Sequence, residues 1–133
     1  MHTTQFDVKT RGRDELQDIT ERVAAAVEAS KARDGIVVVY VPHTTAGVTI
    51  NENADPDVVH DVLGALDLAV PWQQDFYRHN EGNSAAHVKS SMMGFSAQVP
   101  VEAGRLMLGT WQGIYLCEFD GPRTRQVVVV MTS

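Results

Sequence analysis

Three histidines lie beside short polar motifs: His43 in His43-Thr44-Thr45-Ala46-Gly47, His79 in Tyr77-Arg78-His79-Asn80-Glu81-Gly82, and His87 in Asn83-Ser84-Ala85-Ala86-His87-Val88-Lys89. Imidazole titrates near neutral pH, so it moves protons and, when neutral, ligates transition metals. Three imidazoles, or two with a carboxylate, leave one position open on a catalytic zinc. His79 and His87 are too far apart for a metal pair on consecutive turns of one helix. A bend at Asn80-Glu81-Gly82-Asn83 has to bring them together. The His-Glu-x-x-His pattern, which would be specific for such a site, is absent. The competing reading is that each ring only hydrogen-bonds a nearby loop carbonyl.

Other side chains with chemical potential cluster downstream. An extended segment from Gln112 to Phe119 places Gln112, Ile114, Leu116 and Glu118 on one face and Gly113, Tyr115, Cys117 and Phe119 on the other. A carboxylate ending an apolar face is a candidate for a raised pKa or for metal ligation, and equally for pairing with Arg123 or Arg125. Trp111 and Gln112 follow Gly109-Thr110, which offers an indole plane and an amide to a flat heterocycle, or equally a packed tryptophan at a subunit interface. Lys89, Arg123 and Arg125 are cations able to neutralise phosphate, although no Gly-x4-Gly-Lys-Ser/Thr loop is present. Cys117, among apolar neighbours, reads as an inert core thiol. His60 reads as solvated on a polar helix face, and His2 carries no argument.

Elements must position these groups. His2 to Thr10 alternates as an edge strand. Asp18-Ile19-Thr20-Glu21 reads as a capping box, with Ile19, Val23, Ala26 and Val27 forming the apolar face of a helix that Asp34-Gly35 stops. Ile36 to Val41 is β-branched and apolar on both faces, a central strand that delivers His43 at its carboxyl end. Thr44 to Gly47 is a turn into a strand from Val48 to Glu52, and a tight connection would bring His43 and Glu52 into one neighbourhood. Asp55-Pro56 starts a second helix with Val59, Val62, Leu63, Leu66 and Val70 as its buried stripe. Pro71 to Gly82 is a loop. Asn83 or Ser84 caps a short helix carrying His87 and Lys89 and ended by Gly94. Strands follow at Phe95–Val101, Arg105–Leu108, Gln112–Phe119 and Thr124–Met131. Their short turns favour an antiparallel meander. The class is α+β, a mainly antiparallel sheet with helices on one face.

The 133 residues suit one domain, spanning 1–133, with its own core. A net charge of −6 argues against broad nucleic-acid binding. The charge is uneven. From Glu52 to Glu81 the acids are opposed by Arg78 alone, whereas from Lys89 onward the bases outnumber the acids. Such asymmetry suits a metal with an anionic ligand, or simply a solvated acidic helix face. No apolar run reaches membrane-spanning length, and the first residues lack a signal-peptide pattern. One cysteine excludes an intrachain disulfide, so the expected compartment is cytoplasmic.

Taken together, His43-Thr44-Thr45-Ala46-Gly47, Asn51-Glu52-Asn53-Ala54-Asp55-Pro56, Tyr77-Arg78-His79, Asn83 with Ala86-His87-Val88-Lys89, Gly104-Arg105-Leu106 and Gly109-Thr110-Trp111-Gln112 resemble the UPF0047, or YjbQ-like, family. The resemblance runs from about Gln5 to the C-terminus, and Glu118 and Arg123 also fit it. It implies a compact α+β subunit forming a homotrimer. It also implies a weak thiamine-phosphate synthase activity, joining a pyrimidine methyl diphosphate to a thiazole phosphate with release of pyrophosphate. Carried over, His43, His79 and His87 are metal or acid–base residues, with Glu52 and Glu118 as carboxylate partners and Lys89 as a catalytic cation. Asn51, Glu52, Trp111, Gln112 and Arg123 are expected to hold the ligand, and a divalent zinc or magnesium ion is the expected cofactor. His60 departs from the family's expected basic residue and receives no role; Asp120-Gly121-Pro122 is a local variant. The alternative is a non-catalytic trimer that binds a metal or small ligand.

Overall fold

The structure, a computed structural model, describes residues 1–133. Two antiparallel sheets face one another. The larger runs β1-β8-β3-β5-β6, from β1 His2–Lys9, β8 Thr124–Thr132, β3 Gly35–Tyr40, β5 Ser96–Glu102 and β6 Arg105–Leu106. The smaller runs β2-β7-β4, from β2 Glu15–Asp18, β7 Gln112–Glu118 and β4 Ala46–Glu52. The α+β class, the edge position of β1 and the central position of β3 are as expected.

Strand alternation explains the core. In β8, Arg125, Val127, Val129 and Met131 point inward, and β3 contributes Val37 and Val39. They meet Val48, Ile114 and Leu116 of the smaller sheet, and Val23 and Val27 of α1 (Thr20–Ser30) complete the cluster. The other face of the smaller sheet presents Cys117 and Phe119, covered by Ala86 and Met93 of α3 (Ser84–Met93) and by Leu63 and Leu66 of α2 (Pro56–Ala69). The two faces of β7 are thus divided as its sequence alternation predicted. Burial raises the Cys117 thiol to about 12, so it stays protonated, as expected of a core thiol.

Several expectations change. The C-terminal strands do not form a meander. β5 and β6 pair, but β7 enters the smaller sheet and β8 inserts between β1 and β3. Short turns predict adjacency along the chain, and here the inter-sheet core competes successfully with it. The helices also divide: α1 closes the inter-sheet core, whereas α2 and α3 cover the far face of the smaller sheet. β2 appears where no strand was read, because four residues flanking the α1 cap pair with β7. Ile19 takes the α1 cap position, while Asp18 Oδ1 still accepts from the Thr20 N–H at 2.9 Å. The α2 start is as read, with Asp55 accepting from the Asp57 N–H at 2.9 Å. Of its apolar stripe only Val70 is buried, however, the others being half-buried, and Leu68 is 85% exposed. No helix is long and apolar enough to cross a membrane.

Candidate functional site

His43 follows β3, and its placement comes from where β3 stops. The β3–β8 ladder ends at Tyr40 opposite Val128. Gln126, two residues further along β8, then has no strand partner on that edge, and its N–H donates to His43 Nε2 at 2.8 Å. A nitrogen that accepts cannot carry the ring proton, so the neutral ring holds its proton on Nδ1 and can donate from there. Burial depresses the His43 pKa from 6.5, and the Arg125 and Arg123 guanidinium charges add to this against the opposing Glu118 carboxylate.

Beneath His43 lies a closed ion pair. Glu118, ending β7, and Arg125, near the start of β8, are both buried. Arg125 Nε donates to Glu118 Oε1 at 2.9 Å, and its Nη2 pairs with Oε2. The same Nη2 lies 2.8 Å from Thr45 Oγ1 and 3.1 Å from the Thr45 carbonyl. Thr10 Oγ1 donates to Glu118 Oε1 at 2.8 Å, and the Asp120 N–H donates to Oε2 at 3.0 Å. Both Glu118 oxygens are therefore used, and the carboxylate acts as an anchor rather than as a free acid, base or metal ligand. The anchor grips Thr45 while Gln126 grips His43, so the His43-Thr44-Thr45 segment is stitched to the start of β8.

The turn from Asp120 to Arg123 links this centre to α3. Arg123 donates to Asp120 through Nη2–Oδ2 at 2.9 Å and Nε–O at 2.9 Å, and remains half-exposed. Asn83, at the start of α3, donates to the same Asp120 Oδ2 at 2.8 Å. Gly121 is sterically required, because a Cβ there would strike the Gly12 carbonyl and Thr10. One helical turn beyond Asn83 stands His87. Its ring meets His79 edge to face, with centroids 5.3 Å apart, and His79 Nε2 lies 3.3 Å from Glu81 Oε2. The bend after His79 thus brings these two histidines together, on the helix whose first residue, Asn83, is bonded to Asp120, while His43 is held separately by Gln126.

Other candidates lie elsewhere. β4 pairs with β7 so that Ala46 opposes Glu118 and Glu52 opposes Gln112. A seven-residue strand spans about 20 Å. His43 and Glu52 therefore sit at opposite ends, because the chain leaves the turn directly into an extended strand. Asn51, Trp111 and Gln112 share the Glu52 end. There Gln112 Oε1 accepts the Gly109 N–H at 2.8 Å, Asn51 Oδ1 accepts the Glu52 N–H at 2.7 Å, and Trp111 is 64% exposed. Lys89 is also removed from the His43 centre. It is only 1% exposed, with Nζ 2.8 Å from Asp14 Oδ2 and 3.2 Å from Asp67 Oδ1. Its charge ties α3 to α2 and to the β1–β2 connection and is not offered to a ligand.

Other proteins share this sequence and fold over nearly the whole chain. A family model described as "UPF0047 protein YjbQ-like" matches residues 4–133. The chain belongs to the UPF0047 (YjbQ-like) family. It is similar to the UPF0047 protein YugU of Bacillus subtilis, with 56% identity over 95% of this chain and 96% of that protein. A UPF0047 protein of Methanocaldococcus jannaschii is 52% identical over 94% of this chain and 90% of that one. Among solved structures, an uncharacterised YjbQ/UPF0047 protein of Clostridium acetobutylicum superposes with a TM-score of 0.95 at 54% identity, covering 97% and 99% of the two chains. A hypothetical protein of Aeropyrum pernix gives 0.94 at 38% identity, covering 100% and 99%.

Within this UPF0047 chain, no group of three or more His, Cys, Asp or Glu side chains is arranged to hold a metal ion. His43 Nε2 accepts the Gln126 N–H. Sequence reasoning also overlooked several members of the centre. Thr10 and Thr45 received no role in a site, Asn83 was read only as a helix cap, and Arg125 was read as a phosphate cation or as one option for pairing Glu118. Their signal was weak because Thr10 and Arg125 meet through β1–β8 pairing, which no local pattern discloses.

Proposed function

We propose that this UPF0047 chain is an enzyme that handles a small phosphorylated ligand at the 120–123 turn, using His43 as a neutral hydrogen-bond donor. The observation that carries the reading is the Gln126 N–H to His43 Nε2 bond, which leaves Nδ1–H as the donor. A neutral imidazole held beside Arg123 suits an oxygen that gains negative charge during reaction. His79 and His87, paired with each other, supply acid–base capacity.

The reaction to assay first is thiamine-phosphate formation. The thiazole nitrogen attacks the pyrimidine methylene carbon, a C–N bond forms, the C–O bond breaks, and pyrophosphate leaves with the electron pair. His43 and Arg123 would stabilise that departing charge. The experiment measures pyrophosphate release by the purified chain and by His43→Ala. A rate lower by about 10²-fold or more in the variant supports the reading. A variant rate equal to wild type rejects it.

The second reading is a trimeric binding module without turnover. It is favoured by the division of the motif residues between two ends of β4 and β7, and by an exposed Trp111 with Met107, Ile36 and Tyr40 also open. In a homotrimer, a neighbouring copy would cover such surfaces. Ligand binding without pyrophosphate release, by a protein that sediments as a trimer, selects this reading.

A further inference from the structure

The largest cavity of the chain, about 700 Å³, lies between α1 and the β5–β6 hairpin, and no residue of the His43 centre lines it. Its size is that of a small-molecule site. Its floor is apolar, with Ala32, Leu106 and Leu108. Its rim carries Lys31, Arg33 and Arg105 against a single carboxylate, Glu28. In a chain of net charge −6, three cations opposed by one acid form a local exception.

The backbone at this cavity is also exceptional. Lys31 (φ 61°) and Ala103 (φ 53°) are the only residues other than glycine with positive φ, and both line it. Side chains disfavour this region, and such conformations persist where surrounding bonds enforce them. Here the Lys31 N–H donates to the Glu28 carbonyl at 3.1 Å, closing α1. The Ala103 N–H donates to Asp34 Oδ1 at 3.1 Å, and the Gly104 N–H donates to the Arg33 carbonyl at 2.8 Å. The hairpin is therefore locked to the α1–β3 connection, and the two walls that carry Arg33 and Arg105 are held in fixed relation. Gly104-Arg105-Leu106 is also one of the motif segments to which no role had been given.

We propose that this cavity binds a small phosphate monoester, with the phosphate on Arg33, Arg105 and Lys31 and the organic part on the apolar floor. Three cations less Glu28 leave two positive charges, and a phosphate monoester carries about −1.5 to −2 at pH 7. Guanidinium forks match phosphate oxygens in pairs. The inference stands independently of whether the His43 centre turns over a substrate.

The test is calorimetric titration at low salt with phenyl phosphate, inorganic phosphate and benzoate as probes. The expected result is binding of phenyl phosphate in preference to both other probes. Affinity should fall at least tenfold in Arg33→Ala and in Arg105→Ala, and fall in Ala24→Leu, which narrows the cavity without changing a charge. His60→Ala, at a residue outside the cavity, should leave it unchanged. Circular dichroism confirms that each variant is folded. The proposal is overturned if benzoate binds as well as phenyl phosphate, or if a folded R33A/R105A double variant keeps wild-type affinity. It is equally overturned if His43→Ala abolishes binding, or if phenyl phosphate does not bind while Arg105→Glu changes the sedimentation coefficient, which would make the cavity an interface between copies.

Discussion

The two polar centres linked through Asp120 and Asn83 are built in opposite ways. Glu118 and Arg125 are buried, doubly bonded to each other, and surrounded by Thr10, Thr45 and the Asp120 backbone. His79 and Glu81 are exposed, and His87 is half-buried, with one edge-to-face contact between the rings. A buried pair whose carboxylate has both oxygens bonded fixes geometry and is poorly placed to respond to a ligand. An open pair can respond but is not held rigidly. His43 stands between these extremes, half-buried, with one nitrogen fixed and the other available. The comparison teaches that the residues with the strongest ionic contacts are the positioning groups, and that the chemistry belongs to their less constrained neighbours.

The largest effect should come from breaking the closed centre. Arg125→Ala leaves the Glu118 carboxylate buried without its cation, which is expected to cost about 3–5 kcal/mol, read as the urea midpoint. Replacing both partners, as in the E118L/R125M double variant, should recover much of that loss, since a buried pair is often no better than apolar groups of similar volume. Ligand handling should not recover with it. The double variant still lacks the Thr45 contact that holds the His43 segment to β8. Recovery of stability and function together would show that the pair does not position His43.

Lys89 provides a second buried charge for comparison, with partners that reach solvent: Asp14 is mostly buried, but the Asp67 side chain is 54% exposed. Lys89→Met should therefore cost less, about 1–3 kcal/mol, since a stranded carboxylate here can recruit water. Its effect on ligand binding should be small in the folded variant. A large loss of activity with unchanged stability would return Lys89 to the ligand-facing set.

This contrast explains what was legible in the sequence. The approach of His79 to His87, the carboxylate ending the apolar face of β7, and the Asp55-Pro56 helix start follow from local patterns, and the structure contains each. The split of Glu52, Asn51, Trp111 and Gln112 from His43 was not legible, because it depends on a full strand separating residues that are close along the chain. Lys89 was read as a phosphate cation because its type suits that task. Its burial follows from α3 packing between α2 and the β1–β2 connection, a tertiary fact with no sequence period. The meander failed for the same reason, as β8 pairs with strands at the far end of the chain.

The open pair should behave as a surface feature in stability and as a functional feature in activity. His79→Ala and His87→Ala should each change stability by no more than about 0.5 kcal/mol. Each should lower pyrophosphate release, and the double variant should lower it by less than the product of the single effects, because the rings act as a pair. Independent, multiplicative losses would separate the two rings functionally.

The smallest effect is the pH dependence that sets His43 apart from an exposed imidazole such as His60. His60 is fully exposed, and the Asp61 carboxylate raises its pKa. The His43 pKa is depressed below 6.5 by burial and by Arg125 and Arg123. Above the ordinary imidazole range, folded and unfolded chains both hold His43 neutral, so it adds no pH dependence there. As pH falls through 6.5, the unfolded chain takes up the proton first, and stability is lost. The loss levels off once pH is below the folded pKa. Urea midpoints recorded from about pH 8 to pH 5 should therefore decline more for wild type than for His43→Gln, which has no proton to gain at that position. Activity should fall in the same acidic range, because a ring protonated at Nε2 repels the Gln126 N–H that orients it. Parallel stability curves for wild type and His43→Gln would mean that the ring is no less basic than an exposed histidine, and that the buried ion pair beneath it does not tune it.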